Sequence, residues 1–143
     1  MPEGLYLGFD FGYKRIGVAI GQSLTKTARP LVTLVARSGE PTWAEITALI
    51  RQWRPLGLVV GLPTMIDGKE QYTTQAARNF AQHLFERYAL PVHMVDERLT
   101  TVAAREELYT QGGYRKILQS QIDSVAACII LEQWLHDHHG MEF

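Results

Sequence analysis

The chain has 143 residues, 46% of them hydrophobic, with one cysteine and 14 Lys and Arg against 15 Asp and Glu for a net charge of −1. That length supports one ordinary core, so a single domain over residues 1–143 is expected and two full domains are excluded. No apolar run approaches the roughly 20 residues of a membrane span, no basic stretch followed by a long apolar one opens the chain, and the balanced charge excludes a general electrostatic grip on nucleic acid.

The expectation is a soluble, cytoplasmic protein with no membrane partner. Cys128 has no second cysteine to pair with and lies in the apolar run Val125 to Leu131, where a buried, inert thiol is expected. The charge argument weakens if some acids hold cations, because the basic residues are then left to meet phosphates.

The first predicted strand is Leu5 to Phe11, and Gly12-Tyr13-Lys14-Arg15 makes a tight connection to a second, Ile16 to Ile20. Leu31 to Val35 reads as a third strand. Pro41 suits the first turn of a helix in which Trp43, Ile46, Leu49, Ile50 and Trp53 recur at helical spacing, ended by Arg54-Pro55. Leu58 to Val60, bounded by Gly57 and Gly61, has the mark of a strand buried on both faces. A helix is expected from about Thr73 to Tyr88, a fifth strand at Pro91 to Val95, and helices at about Thr101 to Tyr109 and Gln121 to Asp137. Three strands in meander, followed by two more joined through helices, describe an α/β fold with a five-stranded mixed sheet flanked by helices.

Three acids stand where packing alone would not place them. Asp10 sits inside an apolar strand, where an unpaired carboxylate costs several kcal/mol, and Gly8, Gly12 and Gly17 around it leave room for backbone or ligand to approach. Glu97 follows the fifth strand at its C-terminal end, the edge at which open α/β sheets hold ligands. Asp123 opens the last helix just before its most apolar run. Carboxylates gathered at one edge need cations, and oxygen-only donors select Mg²⁺ or Mn²⁺ over zinc. Such a site suits phosphodiester hydrolysis, in which bound metal ions activate water and stabilise the leaving oxygen. Each acid also has a structural reading: Asp10 could pair with Lys14 or Arg15, Glu97 with Arg98 or Arg105, and Ser120 to Asp123 fits a capping box. Asp96 is as eligible as Glu97 by spacing.

The segments Gly8-Phe9-Asp10-Phe11-Gly12 with Ile16-Gly17-Val18-Ala19, Val60-Gly61-Leu62-Pro63, Asp96-Glu97-Arg98-Leu99 with Thr101, and Asp123-Ser124 with Ala126-Ala127 together resemble the YqgF (RuvX) family. That family is assigned to pre-16S rRNA cleavage and was formerly described as Holliday-junction resolvase-like. The resemblance spans nearly the whole chain and implies an RNase H-like fold. It further implies that Asp10, Glu97 and Asp123 are the catalytic, metal-binding acids, with Glu97 preferred over Asp96, and that Arg15 and Arg98 contact substrate phosphate. The chain departs from well-studied RNase H-like resolvases in having Ala126 and Ala127 where a fourth acid stands.

The function implied is a nuclease dependent on Mg²⁺ or Mn²⁺ that processes the 5′ end of pre-16S rRNA during ribosome biogenesis. Structured RNA is the favoured partner, branched DNA the second, and association with the ribosome is in keeping with the first. The alternatives are a Holliday-junction resolvase and a catalytically weak nucleic-acid-binding protein. An actin-like or sugar-kinase-like ATPase shares the Asp10-Phe11-Gly12 pattern but needs two related domains around its nucleotide. Tyr13, Tyr109 and Tyr114 suit packing before base stacking, and the His136, His138 and His139 cluster suits a terminal tail before a metal site.

Overall fold

Period-two alternation in the first strand sets the architecture. A computed structural model describes residues 3–62, 72–96 and 119–137, and in it strand β1 (Leu5–Asp10) turns Leu7 and Phe9 into one core and Tyr6 into another. Asp10, two residues beyond Gly8 and four beyond Tyr6, belongs to the second face.

β1 pairs antiparallel with β2 (Arg15–Gln22), which pairs antiparallel with β3 (Thr27–Arg37). On its other side β1 runs parallel to β5 (Gly57–Leu62), and β5 parallel to β6 (Val92–Asp96). Among the described residues the sheet has six strands rather than the five expected; with β4 (Glu40–Pro41) beside β3, their order is β4-β3-β2-β1-β5-β6. The extra one is β4, two residues folded back on β3 through the tight turn at Ser38 and Gly39, both at positive φ. In sequence this segment shows only turn residues, because two residues carry no periodicity.

Pro41 accordingly ends β4 instead of starting a helix, and α1 (Trp43–Trp53) begins after Thr42. Arg54 closes α1 in the left-handed region, its N–H bonded to the Ile50 carbonyl at 2.8 Å, and Pro55 prevents continuation. α1 and α2 (Tyr72–Tyr88) cover one face of the sheet. Ile46, Ala77, Phe80 and Leu84 pack there on Phe9, Phe11, Ile16, Val18, Leu58 and Val60. Phe80 is the hub, edge-on to Phe9 at 5.6 Å and tilted on Phe11 at 5.2 Å.

The other face carries α3 (Gln119–Asp137), whose Ala127, Ile130, Leu131, Trp134 and Leu135 bury Tyr6, Ala19, Val59 and Val95. Small residues make this approach close: a Cβ at Gly8 would stand 2.8 Å from the Leu131 Cβ, and one at Gly17 would collide with the Asp123 carbonyl. The Glu132 carboxylate accepts the Ala28 N–H at 2.9 Å and fixes α3 across β3. Cys128 is buried, as its apolar setting implies. The helix expected at 101–109 lies outside the described residues, among which no helix is long and apolar enough to cross a membrane.

Candidate active site

Register brings two of the three predicted acids to one place. Asp10 ends β1 directly opposite Gly17 of β2, and the absent side chain of Gly17 is the space into which the Asp123 backbone descends. The first turns of α3 therefore lie over the Asp10–Gly17 pair. Asp10 and Asp123 line one open cleft of about 310 Å³, with Gly12, Tyr13, Lys14 and Arg15 of the β1–β2 connection forming its rim. That connection is held by the neighbouring hairpin: the Lys14 carbonyl accepts the Ala36 N–H at 2.9 Å and the Tyr13 carbonyl accepts the Gly39 N–H at 3.0 Å.

The capping-box reading of Asp123 does not hold. α3 begins at Gln119, so Ser120 is inside the helix and Asp123 lies beyond its first turn. Its carboxylate instead accepts a charge-assisted hydrogen bond, 2.8 Å, from Nε of Arg15. The family resemblance implies that Arg15 faces substrate phosphate, and the structure adds that it is the counter-charge of a cleft acid 108 residues away in sequence. Only the register of β2 beneath α3 creates that contact, so nothing in the local sequence pointed to it.

The third predicted acid, Glu97, lies outside the described residues, as does Arg98. The described chain stops one residue short of them: β6 ends at Asp96, opposite Leu62, while Gly61 pairs with both Asp10 and Val95. β1, β5 and β6 thus end at the same edge of the sheet, the edge that carries the cleft. Among the described residues no three His, Cys, Asp or Glu side chains are grouped to hold a metal ion; the carboxylates present are the pair Asp10 and Asp123. The donor chemistry of that pair fits a hard cation, and the guanidinium already seated on Asp123 shows that positive charge is accommodated there. Ala126 and Ala127, one turn after Asp123, are buried, so the position of a fourth acid is part of the packed core.

A family model for RuvX, described as Holliday junction resolvase, matches residues 4–137. A Legionella pneumophila (strain Paris) protein named "Putative pre-16S rRNA nuclease" is 62% identical over 135 residues, 94% of this chain and 97% of its own. One of the same name from Haemophilus ducreyi is 48% identical over 132 residues, 92% and 96% of the two chains. Among solved structures, T. thermophilus RuvC in complex with Holliday junction substrate superposes with a TM-score of 0.62 at 16% identity, covering 96% of this chain and 97% of that one. The fowlpox virus Holliday junction resolvase gives a TM-score of 0.56 at 10% identity, with 93% and 99% covered. At such low identity the two structures speak for the fold, a mixed sheet with helices on both faces, and the family match speaks for the sequence. From residue 4 to residue 137, the chain belongs to the RuvX family of Holliday junction resolvase-like nucleases, built on the RNase H-like fold.

Proposed function

We propose that the cleft between β1 and α3 is the catalytic centre of a metal-dependent nuclease that cuts structured RNA, with maturation of the pre-16S rRNA 5′ end as its task. The observation that carries this reading is the convergence of Asp10 and Asp123 on one cleft at the sheet edge where β6 ends. Glu97, the next residue after Asp96, is assigned as the third acid. The relatives named for pre-16S rRNA cleavage support RNA over DNA as substrate.

In this reading Asp10, Glu97 and Asp123 hold Mg²⁺ or Mn²⁺, which supplies charge neutralisation at the scissile phosphate and an activated water. The residues of the chain do the rest. Lys14 and Arg15 on the cleft rim, with Arg98, meet phosphate oxygens and fix the strand without reading its sequence. Gly17 and the buried face of α3 hold Asp123 over Asp10, so the carboxylates are positioned before substrate arrives.

The test is cleavage of 5′-end-labelled precursor 16S rRNA fragments beside four-way DNA junctions, each with Mg²⁺, Mn²⁺ or EDTA. Metal-dependent cutting of the RNA is the expected result. Cutting confined to the junction would move the substrate to branched DNA, the reading that the resolvase-like family description favours. Binding without cutting in every condition would make the protein a nucleic-acid-binding one.

A further inference from the structure

Beside the acidic cleft, across Phe11 and Tyr13, lies a second hollow of about 230 Å³ that the catalytic reading does not use. Phe11 and Tyr13 line both spaces. Asp10 and Tyr13 are three residues apart, so at most about 10 Å of chain separates them.

The floor of this hollow is aromatic and fixed. Trp43 stacks on Phe80 at 5.8 Å with an interplanar angle of 26°, and the Arg87 guanidinium sits 4.2 Å from the Trp43 ring centre. The rim is polar, with Asn79 and His83 exposed on α2. Gly39 lies at φ +82°, where a side chain is strained, and its Cβ would stand 3.2–3.3 Å from the Phe11 and Tyr13 rings. Glycine there keeps this wall open.

Charge selects the occupant. No described Lys or Arg lines the hollow itself, the Arg87 guanidinium lying against the Trp43 ring, but the lining does contain the Glu40 carboxylate, which accepts a long hydrogen bond from Trp43 Nε1 at 3.4 Å. Glu40 repels phosphate and accepts hydrogen bonds from an amino or imino group. A neutral planar group with apolar faces and a hydrogen-bonding edge matches an aromatic floor with a polar rim; in a polynucleotide that group is the base. Bases inside a duplex are stacked and paired, so the base admitted is an unpaired one.

We infer that this hollow receives an unpaired base of the strand whose phosphates lie in the acidic cleft. The inference rests on the nuclease reading of that cleft and gives it a substrate requirement: a single-stranded nucleotide close to the cut.

Binding separates this from catalysis. Fluorescence anisotropy in EDTA is read for an RNA hairpin with a single-stranded tail, in one form carrying bases and in another carrying abasic residues throughout the tail. The intact tail is expected to bind roughly tenfold more tightly than the abasic one, the size of one stacked base. In the double variant His83→Ala, Asn79→Ala, at two exposed helix positions where folding is checked by circular dichroism, that preference disappears while affinity for the abasic tail is retained. Equal binding of the two tails by the unaltered protein, or an equal loss on both tails in the variant, would overturn the base site. Because no cleavage is read, failure of the catalytic assignment shows separately, as cutting that survives Asp10→Asn.

Discussion

Asp10 and Arg15 define what single residues contribute. A carboxylate in an apolar strand demands compensation, and Asp10 stands only partly buried, where β1 ends on an open cleft that Asp123 also lines. Arg15 neutralises Asp123 through one nitrogen, with side chains 43% and 18% exposed. Such a pair is screened and contributes about 0.2–1 kcal/mol to stability. Its larger effect is on the cleft, because a cation that binds Asp123 must displace Arg15 or share the carboxylate with it. Arg15→Met should therefore leave the urea midpoint nearly unchanged. It should also raise Mn²⁺ affinity several-fold by calorimetry, since a competing positive charge is removed. Unchanged Mn²⁺ affinity would mean that Arg15 and the metal do not meet. Asp10 was legible from sequence because it violates the apolar pattern of its strand. The Arg15–Asp123 contact was not, because it depends on which residue of β2 lies beneath α3.

At the scale of elements, the seat of α3 on β1 and β2 positions the site. Tyr6–Gly21, Gly8–Ala19 and Asp10–Gly17 are cross-strand pairs, and the small partners let the helix come close enough to carry Asp123 to Asp10. Gly17→Ala puts a methyl group against the Asp123 carbonyl. We expect about 1–3 kcal/mol of destabilisation in urea unfolding, the usual cost of overpacking, together with loss of cleavage from displaced α3. A stable and active Gly17→Ala protein would contradict the tight seat. Tyr6 lies in the same interface, its ring 5.1 Å from that of Trp134, and burial raises its phenol above the ordinary value near 10. The folded state therefore holds this proton more tightly than the unfolded chain. The resulting stability is fully present below pH 10 and is lost as pH rises from 10 through the folded value. Tyr6→Phe should flatten that alkaline fall in melting temperature; an identical alkaline profile in the variant would assign the fall to other groups. Apolar runs bounded by glycines and turn residues made β1, β2 and β5 readable, and helical spacing made α1 readable. β4 escaped because its two residues are set by the Ser38-Gly39 turn, and the capping-box reading of Asp123 failed because α3 starts earlier, at Gln119.

At the scale of the whole molecule, the sheet separates two cores and leaves the edge that carries the cleft to the β1–β2 connection and the first turns of α3. Phe9, Val18 and Val60 serve one core while Tyr6, Ala19 and Val59 serve the other, so β1 and β5 are buried on both faces and hold Asp10 rigidly. The fold class was legible because apolar runs and turn residues agree along the chain. The aromatic hollow was not: Trp43 and Phe80 are at core-like helical spacing, and only the packing of α2 beside the Ser38-Gly39 turn shows that they also bound an open space. In the proposed function, the cleft lined by Asp10 and Asp123 is where phosphodiesters are cut. The most direct measurement is the single-turnover rate of RNA cleavage in Mg²⁺ by the unaltered protein and by Asp10→Asn, with unfolding curves confirming that both are folded. The predicted result is at least a hundredfold loss, about 2.7 kcal/mol in the barrier, with the fold intact. Cleavage by a folded Asp10→Asn protein at the unaltered rate would contradict the assignment and place the catalytic centre elsewhere.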